Sequence, residues 1–357
     1  MTSGEPRPGR AGGARNALLR RLPWRGDLTV GRRTGAGACP GRGPASRRGR
    51  LPAALAVLLA ALLLGHGHLP NTPGRLGSLL ETFLPWLGLG VPVLVGVALL
   101  RRPVVALLVL LLPGTAWLGL FGADLFPVDA ARYDLTVVQH NVSDENPDPA
   151  GTARTLLDIR PDLVAVQELT PAALPAYGTT MAAELPHRAV HGTVGLWSRF
   201  PLTDVRPLDI RPAGFGPDWN RGLRATARTP RGDVAVHVAH LPSLRLGLRH
   251  GFRSGSRDES VTLLGDAVAT EPVDRVLLLG DLNGTVDDRG LAPVTSRMTS
   301  TGPRFPFSWP VALPVARIDH VLARGATIAD LWALPATGSD HLPVAARVWF
   351  PDGAPGR

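Results

Sequence analysis

The sequence predicts an α/β (α+β) fold, a four-layer α/β/β/α sandwich, preceded by about three transmembrane helices. Three observations lead there. From Tyr133 onward strand-like apolar runs alternate with helix-like ones, and few helices are long, which suits two packed sheets flanked by helices. Ahead of that region stand three nearly uncharged apolar stretches. Composition also shifts abruptly along the 357 residues, so more than one kind of unit is present.

Residues 1–50 hold twelve Arg against Glu5 and Asp27, are rich in Gly and Pro, and have almost no apolar periodicity. They read as a disordered, Arg-rich cytoplasmic tail. Residues 51–121 read as a membrane anchor with spans at about 51–68, 82–100 and 103–121. The second and third each run nineteen residues without a charge, enough to cross a hydrocarbon core. The first run, Leu51 to Gly65, is short enough to pass for a signal-peptide core. Charge decides the count, because Arg-rich segments stay inside. The tail and the Arg101-Arg102 pair can both face inward only if the first stretch crosses as well. Three crossings then place everything after Phe121 outside, at the cell membrane's outer face. Residues 122–132 read as a linker and 133–350 as the globular domain.

That domain is long enough to bury one good core. From Ala130 onward it carries 23 Arg and 24 acidic residues, so it lacks the basic footprint of a strong nucleic-acid binder. All 38 basic residues are Arg, which most simply reflects coding bias. The single cysteine, Cys39, lies in the tail and excludes a disulfide framework, a cysteine metal site and a cysteine nucleophile from the domain.

Strand-like runs cover Leu135 to His140, Leu163 to Gln167, Val194 to Ser198, Val234 to His240 and Val276 to Leu279. Three more, Ile318 to Leu322, Ile328 to Leu334 and Leu342 to Val348, come last. Helices are predicted at Ala150 to Ile159, Pro171 to Leu185 and near Ser256 to Thr270. Polar residues gather where the strands end, which is where such proteins carry their sites. Asn141, Gln167-Glu168, His240, Asp281 with Asn283, Asp319, and Ser339-Asp340-His341 are these residues. Each pair alone reads as a turn or cap.

Six in this order are a different matter. "VVQHN", "VAVQE", "VHVAHL", "LLLGDLN", "RIDHVLA" and "TGSDHLP" follow one another across residues 134–349. The series resembles the endonuclease/exonuclease/phosphatase superfamily, whose members include deoxyribonuclease I and neutral sphingomyelinases. Trp197 to Pro201 is similar to the family's L-S-R-x-P segment. The resemblance implies a metal-dependent hydrolase of phosphoester bonds. It implies Glu168 as a hard oxygen ligand for Mg²⁺ (or Mn²⁺), with Asn141 and Asp340 beside the metal. It further implies that Asp281 positions and deprotonates the attacking water and that Asn283 donates to a phosphate oxygen. Asp319 would orient and charge His341, whose imidazolium binds the phosphate. His240 would protonate the leaving group.

Arg221 and Arg224 are weaker candidates for contact with substrate phosphate. His237 and His320 are out of phase with His240 and Asp319 on their strands and read as structural. The anchor with an outward domain is similar to teicoplanin-resistance membrane proteins of this superfamily. The preferred partners are therefore the lipid bilayer and a lipid-linked phosphate or pyrophosphate substrate. A cell-surface nuclease acting on DNA or RNA is the alternative, and a tethered, inactive binding module comes last. No obligate protein partner is implied.

Overall fold

The computed structural model describes residues 50–72, 74–101, 108–126, 132–247, 251–299 and 305–351. The predicted tail, apart from Arg50, and the middle of the linker lie outside them. Helix α1 (Arg50–Gly65) runs into a 3-10 turn at His66–His68. Among the described residues Arg50–His68 is the one unbroken helical segment long and apolar enough to cross a membrane, and only 22% of its apolar window is buried. That low burial distinguishes it from the core helix of a water-soluble protein.

The second apolar stretch is not one straight helix. Helix α2 (Leu76–Thr82), a 3-10 turn (Leu84–Leu89) and α3 (Gly90–Arg101) follow in sequence, and the path bends by 70° between Thr82 and Leu84. Pro85 causes the break: it has no N–H to give and disfavours helical geometry at the residue before it. The pair qualifies as a span only if counted together. Of the third stretch, α4 (Leu111–Phe121) describes the second half. Three continuous spans were expected; the described residues contain one, or two with the bent pair.

Helices α1, α3 and α4 pack through two apolar layers. Ala56, Leu94, Ala98 and Leu110 form one, and Leu63, Leu84, Ala116 and Phe121 the other. Around them Leu55, Leu58, Val93, Leu100, Leu112 and Leu118 point outward.

The globular part is built on two sheets. The first has six strands in the order β12-β13-β1-β2-β4-β3. These are β1 (Leu135–Asn141), β2 (Leu163–Gln167), β3 (His187–His191), β4 (Val194–Ser198), β12 (Thr327–Ala333) and β13 (Val344–Trp349). The second has five in the order β11-β10-β7-β6-β5: β5 (Leu202–Pro207), β6 (Gly222–Thr229), β7 (Gly232–His240), β10 (Val276–Asp281) and β11 (Asp319–Arg324). A small hairpin of β8 (Arg245–Gly247) and β9 (Gly251–Arg253) precedes the long helix α7.

Alternation along each strand divides the core. Val137, Leu163, Ala165, Val236, Val238, Leu277, Leu279 and Val321 meet between the sheets. On the outer face of the first sheet, Val138, Val164, Val166 and Trp197 pack with Leu156 of α5 (Pro149–Leu157) and Tyr177 of α6 (Leu174–Met181). Beneath the second sheet, Ala235, Val276 and Leu278 meet Val261, Leu264 and Val268 of α7 (Gly255–Ala269), and Val294 of α8 (Ala292–Thr295). The layers run helix, sheet, sheet, helix, as predicted. Each parallel pair, β1–β2 and β7–β10, is joined through a helix, α5 and α7 respectively.

Gly280 shows why the GD of "LLLGDLN" needs a glycine: a Cβ there would stand 2.2 Å from the Ala239 carbonyl oxygen of the neighbouring strand. Gly280→Ala should destabilise the fold by about 1–3 kcal/mol through overpacking, read as a lowered Tm in a thermal melt.

Candidate active site

The inter-sheet core turns polar at one end. In β1, Gln139 and Asn141 continue the inward face of Leu135 and Val137; in β7, His240 continues that of Val236 and Val238. Asp281 follows Leu277 and Leu279, and Asp319 precedes Val321 and Ala323. Strand register lines them up: Asp281 pairs with His240 on one side and with Asp319 on the other, and Asn141 pairs with Gln167. The period-two rule therefore delivers residues 180 apart in sequence to one small volume.

Asp319 and His341 form its centre. Asp319 is fully buried; His341 Nδ1 donates to its Oδ2 at 2.7 Å, and Gln139 Nε2 donates to its Oδ1 at 2.6 Å. Burial alone would push His341 down, but the Asp319 charge and hydrogen bond, with Asp281 and Asp340 beyond, hold it up at about 10. For Asp319 burial works upward and is outweighed by His341, so its carboxyl sits below the usual range. Asp281 is pushed the other way, first by burial and then by the charge of Asp319. Asn141 Nδ2 donates to Asp281 Oδ2 at 3.1 Å, and the same oxygen lies 3.7 Å from His240 Nε2 and 4.0 Å from His341 Nε2. One carboxylate is thus favoured in its charged form beside a protonated imidazole, while its neighbour takes up a proton more readily.

Two groups of residues could hold a divalent cation. Asp281, Asp319 and His341 offer ligand atoms within 4.8 Å of one another. Both oxygens of Asp319 are already bonded, however, and His341 at about 10 carries a proton where a ligand needs a lone pair. Glu168 fits better. Its side chain is 29% exposed, it lies 3.7 Å from His240 Nε2, and among the described residues no Arg forms an ion pair with it. Its backbone is left-handed (φ 58°), which turns it off the end of β2 toward the site. Oxygen donors of this kind suit Mg²⁺ or Mn²⁺.

Seven predicted residues converge: Asn141, Glu168, His240, Asp281, Asn283, Asp319 and His341. Asn283, also left-handed (φ 47°), bonds its backbone N–H to Asp281 Oδ1 and its side-chain amide to the Leu241 carbonyl. Asp340 stands at the rim, 64% exposed and 4.0 Å from His341 Nε2. Arg221 also arrives, its Nη1 3.2 Å from His240 Nδ1 and its guanidinium over the ring of Trp219.

Two assignments need correction. Arg224 is not in the site. It is buried on the outer face of β6, where it pairs with Glu271 at 2.8 Å and Asp204 at 2.5 Å, beside His237. Phase explains this, since Arg224 faces His237 across β6 and β7. The second concerns His240 as a proton donor to the leaving group. Burial first, then the Arg221 charge, pushes it down to about 3. Both causes favour the neutral imidazole, which can donate an N–H hydrogen bond. His140 and His320, both outward on their strands, are likewise pushed down to about 3 by burial and bond Thr337 and the Gly284 carbonyl.

Three supporting residues went unassigned in the sequence reading. Gln139 clamps Asp319. Ser308 Oγ accepts the Asp319 backbone N–H at 3.3 Å. Ser339 Oγ donates to the Asn141 carbonyl and accepts the His341 N–H, tying the closing S-D-H to β1. For Gln139 the signal was present, two residues before Asn141 on one face; Ser308 lies in an irregular segment with no pattern to read.

The model of the Endonuclease/Exonuclease/phosphatase family matches residues 138–341. Beta toxin of Staphylococcus aureus shares the fold, at 17% identity and TM-score 0.50 over 60% of this chain and 99% of that one. So does D. rerio TDP2 complexed with single strand DNA product, at 17% identity and TM-score 0.50 over 60% and 98%. No curated protein matches the chain.

The His341 pair sets a pH dependence of stability. Its folded value, about 10, exceeds the ordinary 6.5, so its contribution is complete below about 6.5 and is lost as pH rises through about 10. In chelator, Tm should fall over that interval, and Asp319→Asn should flatten the fall and lower the His341 value by more than about one unit in an NMR titration.

Proposed function

The chain belongs to the endonuclease/exonuclease/phosphatase family and is a hydrolase of phosphoester bonds; on that premise we propose a membrane-anchored, divalent-metal-dependent enzyme that cleaves a lipid-linked phosphate ester or pyrophosphate at the outer membrane face. The observation that carries the chemistry is the Asp319–His341–Asp281 arrangement with Glu168 open beside it. Asp281, raised by burial and fixed by Asn141, aligns a water and takes its proton as the oxygen attacks phosphorus; the P–O bond to the leaving group breaks on the opposite side, and the leaving oxygen takes its proton from solvent. Protonated His341, aimed by Asp319, donates to a non-bridging oxygen and opposes the charge that grows there. Arg221 adds a fixed positive charge at the opposite edge. Asn283, its backbone locked onto Asp281 and one amide hydrogen spent on the Leu241 carbonyl, keeps its second amide hydrogen for the same oxygens. A divalent cation held by Glu168, with Asn141 beside it, would supply further charge to those oxygens.

The membrane reading is supported by the outward apolar side chains of α1, α3 and α4 and by their packing order. Leu63, Leu84 and Phe121 share one layer, and Ala56, Leu94, Ala98 and Leu110 the other. That order suits three crossings, with Arg50 and Arg101 at the inner end and the catalytic domain at the outer. The Arg-rich tail then lies in the cytoplasm.

A second reading has one observation of its own. Phe215, Trp219 and Arg221 line a cavity of about 490 Å³ beside the site, an aromatic and cationic surface on which a base could stack. It favours a nuclease acting at the cell surface.

With full-length protein, Mg²⁺ and a panel of diphosphorylated polyprenol, plasmid DNA and bis-p-nitrophenyl phosphate, the first should be the preferred substrate. Rapid plasmid nicking lost in Glu168→Gln would favour the nuclease instead. On any cleaved substrate, Glu168→Gln and His341→Ala should each lower kcat/KM by about 10²–10⁴. The rate should rise with pH as Asp281 ionises and fall again as His341 deprotonates near 10. Asp319→Asn should move the alkaline fall to lower pH.

A further inference from the structure

An apolar cavity of about 290 Å³ lies where the membrane segments meet the catalytic domain. Pro85, Trp86, Leu89 and Trp117 line it from the anchor, and Phe305 and Phe307 from the domain. Its size is near the lower end of the ~300–1,000 Å³ typical of ligand sites. Its aromatic walls are ordered by contact: Trp86 stacks on Phe307 at 5.4 Å between centroids, and Trp117 on Phe305 at 6.3 Å. Both indole N–H groups are spent, Trp86 on the Val315 carbonyl at 2.7 Å and Trp117 on the Pro85 carbonyl at 2.7 Å. With its donors satisfied and its walls apolar, the cavity has nothing to hold water.

Two connections give it direction. At one end Leu89, 58% exposed, continues into the outward apolar side chains Val93 and Leu100 of α3. At the other, the residue after Phe307 is Ser308, whose Oγ accepts the Asp319 N–H and whose carbonyl accepts Leu342 N–H at 2.7 Å. Further along the same segment, Val311 N–H donates to the Asp340 carbonyl at 2.8 Å. The segment that walls the cavity is thus continuous in sequence with the one bonded to Asp319 and to the closing S-D-H loop.

We propose that this cavity receives the hydrocarbon chain of the substrate, so that an alkyl or isoprenoid phosphate enters from the bilayer past Leu89 with its chain against Trp86 and Trp117 and its phosphate reaching His341. This rests on the membrane and phosphoesterase readings above, and adds to them where the chain binds and that chain length sets affinity. For short-chain phosphates taken up from water and not from lipid, each methylene placed in such a cavity improves binding roughly two- to fourfold.

The test uses full-length protein in nanodiscs and an alkyl phosphate with a diazirine at the chain terminus. Crosslinks mapped by peptide mass spectrometry should fall on Phe305, Phe307 and Trp117, and Leu89→Phe, which narrows the mouth, should reduce them. Labels confined to Leu55, Leu58 and Leu118, or equal labelling by the phosphate-free alcohol, overturn the proposal in favour of ordinary bilayer contact. Kinetics give the second arm. The kcat/KM preference for a long-chain over a short-chain alkyl phosphate should fall by roughly tenfold in Leu89→Phe; a preference that is absent in the wild type, or kept in the variant, also overturns it. Labelling at Phe305 and Phe307 without hydrolysis of any phosphoester would instead sink the catalytic reading and leave the chain site standing.

Discussion

A charged group at the closed end of an apolar core persists only if something beside it answers the charge, and in this fold the Asp319–His341 hydrogen bond is that answer. Much else follows from it. Gln139 must face inward to fill the second oxygen of Asp319, and Ser308 must approach its backbone. Ser339 must hold the loop so that His341 arrives at all. The charge of Asp319 also raises the neighbouring Asp281. A buried acid pair thus splits in behaviour: one member stays ionised beside His341, and the other, through burial and then the charge of the first, holds a proton more readily.

The same logic appears away from the site. Glu271 is buried among Arg224, His237 and the turn before β10, and its carboxyl lies far below the ordinary range despite burial. Arg257, its side chain wholly buried, is fixed between Asp258 and Asp288 and donates to the Asn283 carbonyl at 3.2 Å. Beneath the second sheet, charges are therefore structural and satisfied by one another. Between the sheets Asp281 has amide donors from Asn141 and Asn283 but, among the described residues, no cation nearer than 3.7 Å, and that difference separates it from the scaffold pairs.

Strand ends were legible because their residues keep phase with an apolar face. Asn141, His240, Asp281 and Asp319 could each be placed from the parity of the Val and Leu residues beside them. The layer order was legible for a similar reason. Strand β6, with the sequence GLRATART, was not, because its buried polar residues are paired to partners distant in sequence. Arg224 was misjudged on that account, since one residue of phase separates a substrate contact from a core ion pair. The neutral state of His240 was equally hidden: it depends on burial and on Arg221, which motif order does not encode. In the anchor, hydropathy gave length and apolarity but not the bend that Pro85 imposes.

The junction between anchor and domain has its own polar lock. Arg289 donates to both carboxylate oxygens of Glu81, which is 1% exposed, and reaches the His66 and Leu69 carbonyls at 2.6 and 2.7 Å. Glu81 and Arg289 are 208 residues apart. During synthesis the helical segment is complete long before Arg289 leaves the ribosome, so until most of the domain has emerged Glu81 has the His66 ring at 3.0 Å but lacks the guanidinium. Closing this lock is then among the last contacts the fold can make, because it joins the first described helices to a residue near the end of the chain. A chain clipped before Arg289 would lose four of these bonds at once, and with them the polar tie between the N-terminal helices and the sheet domain.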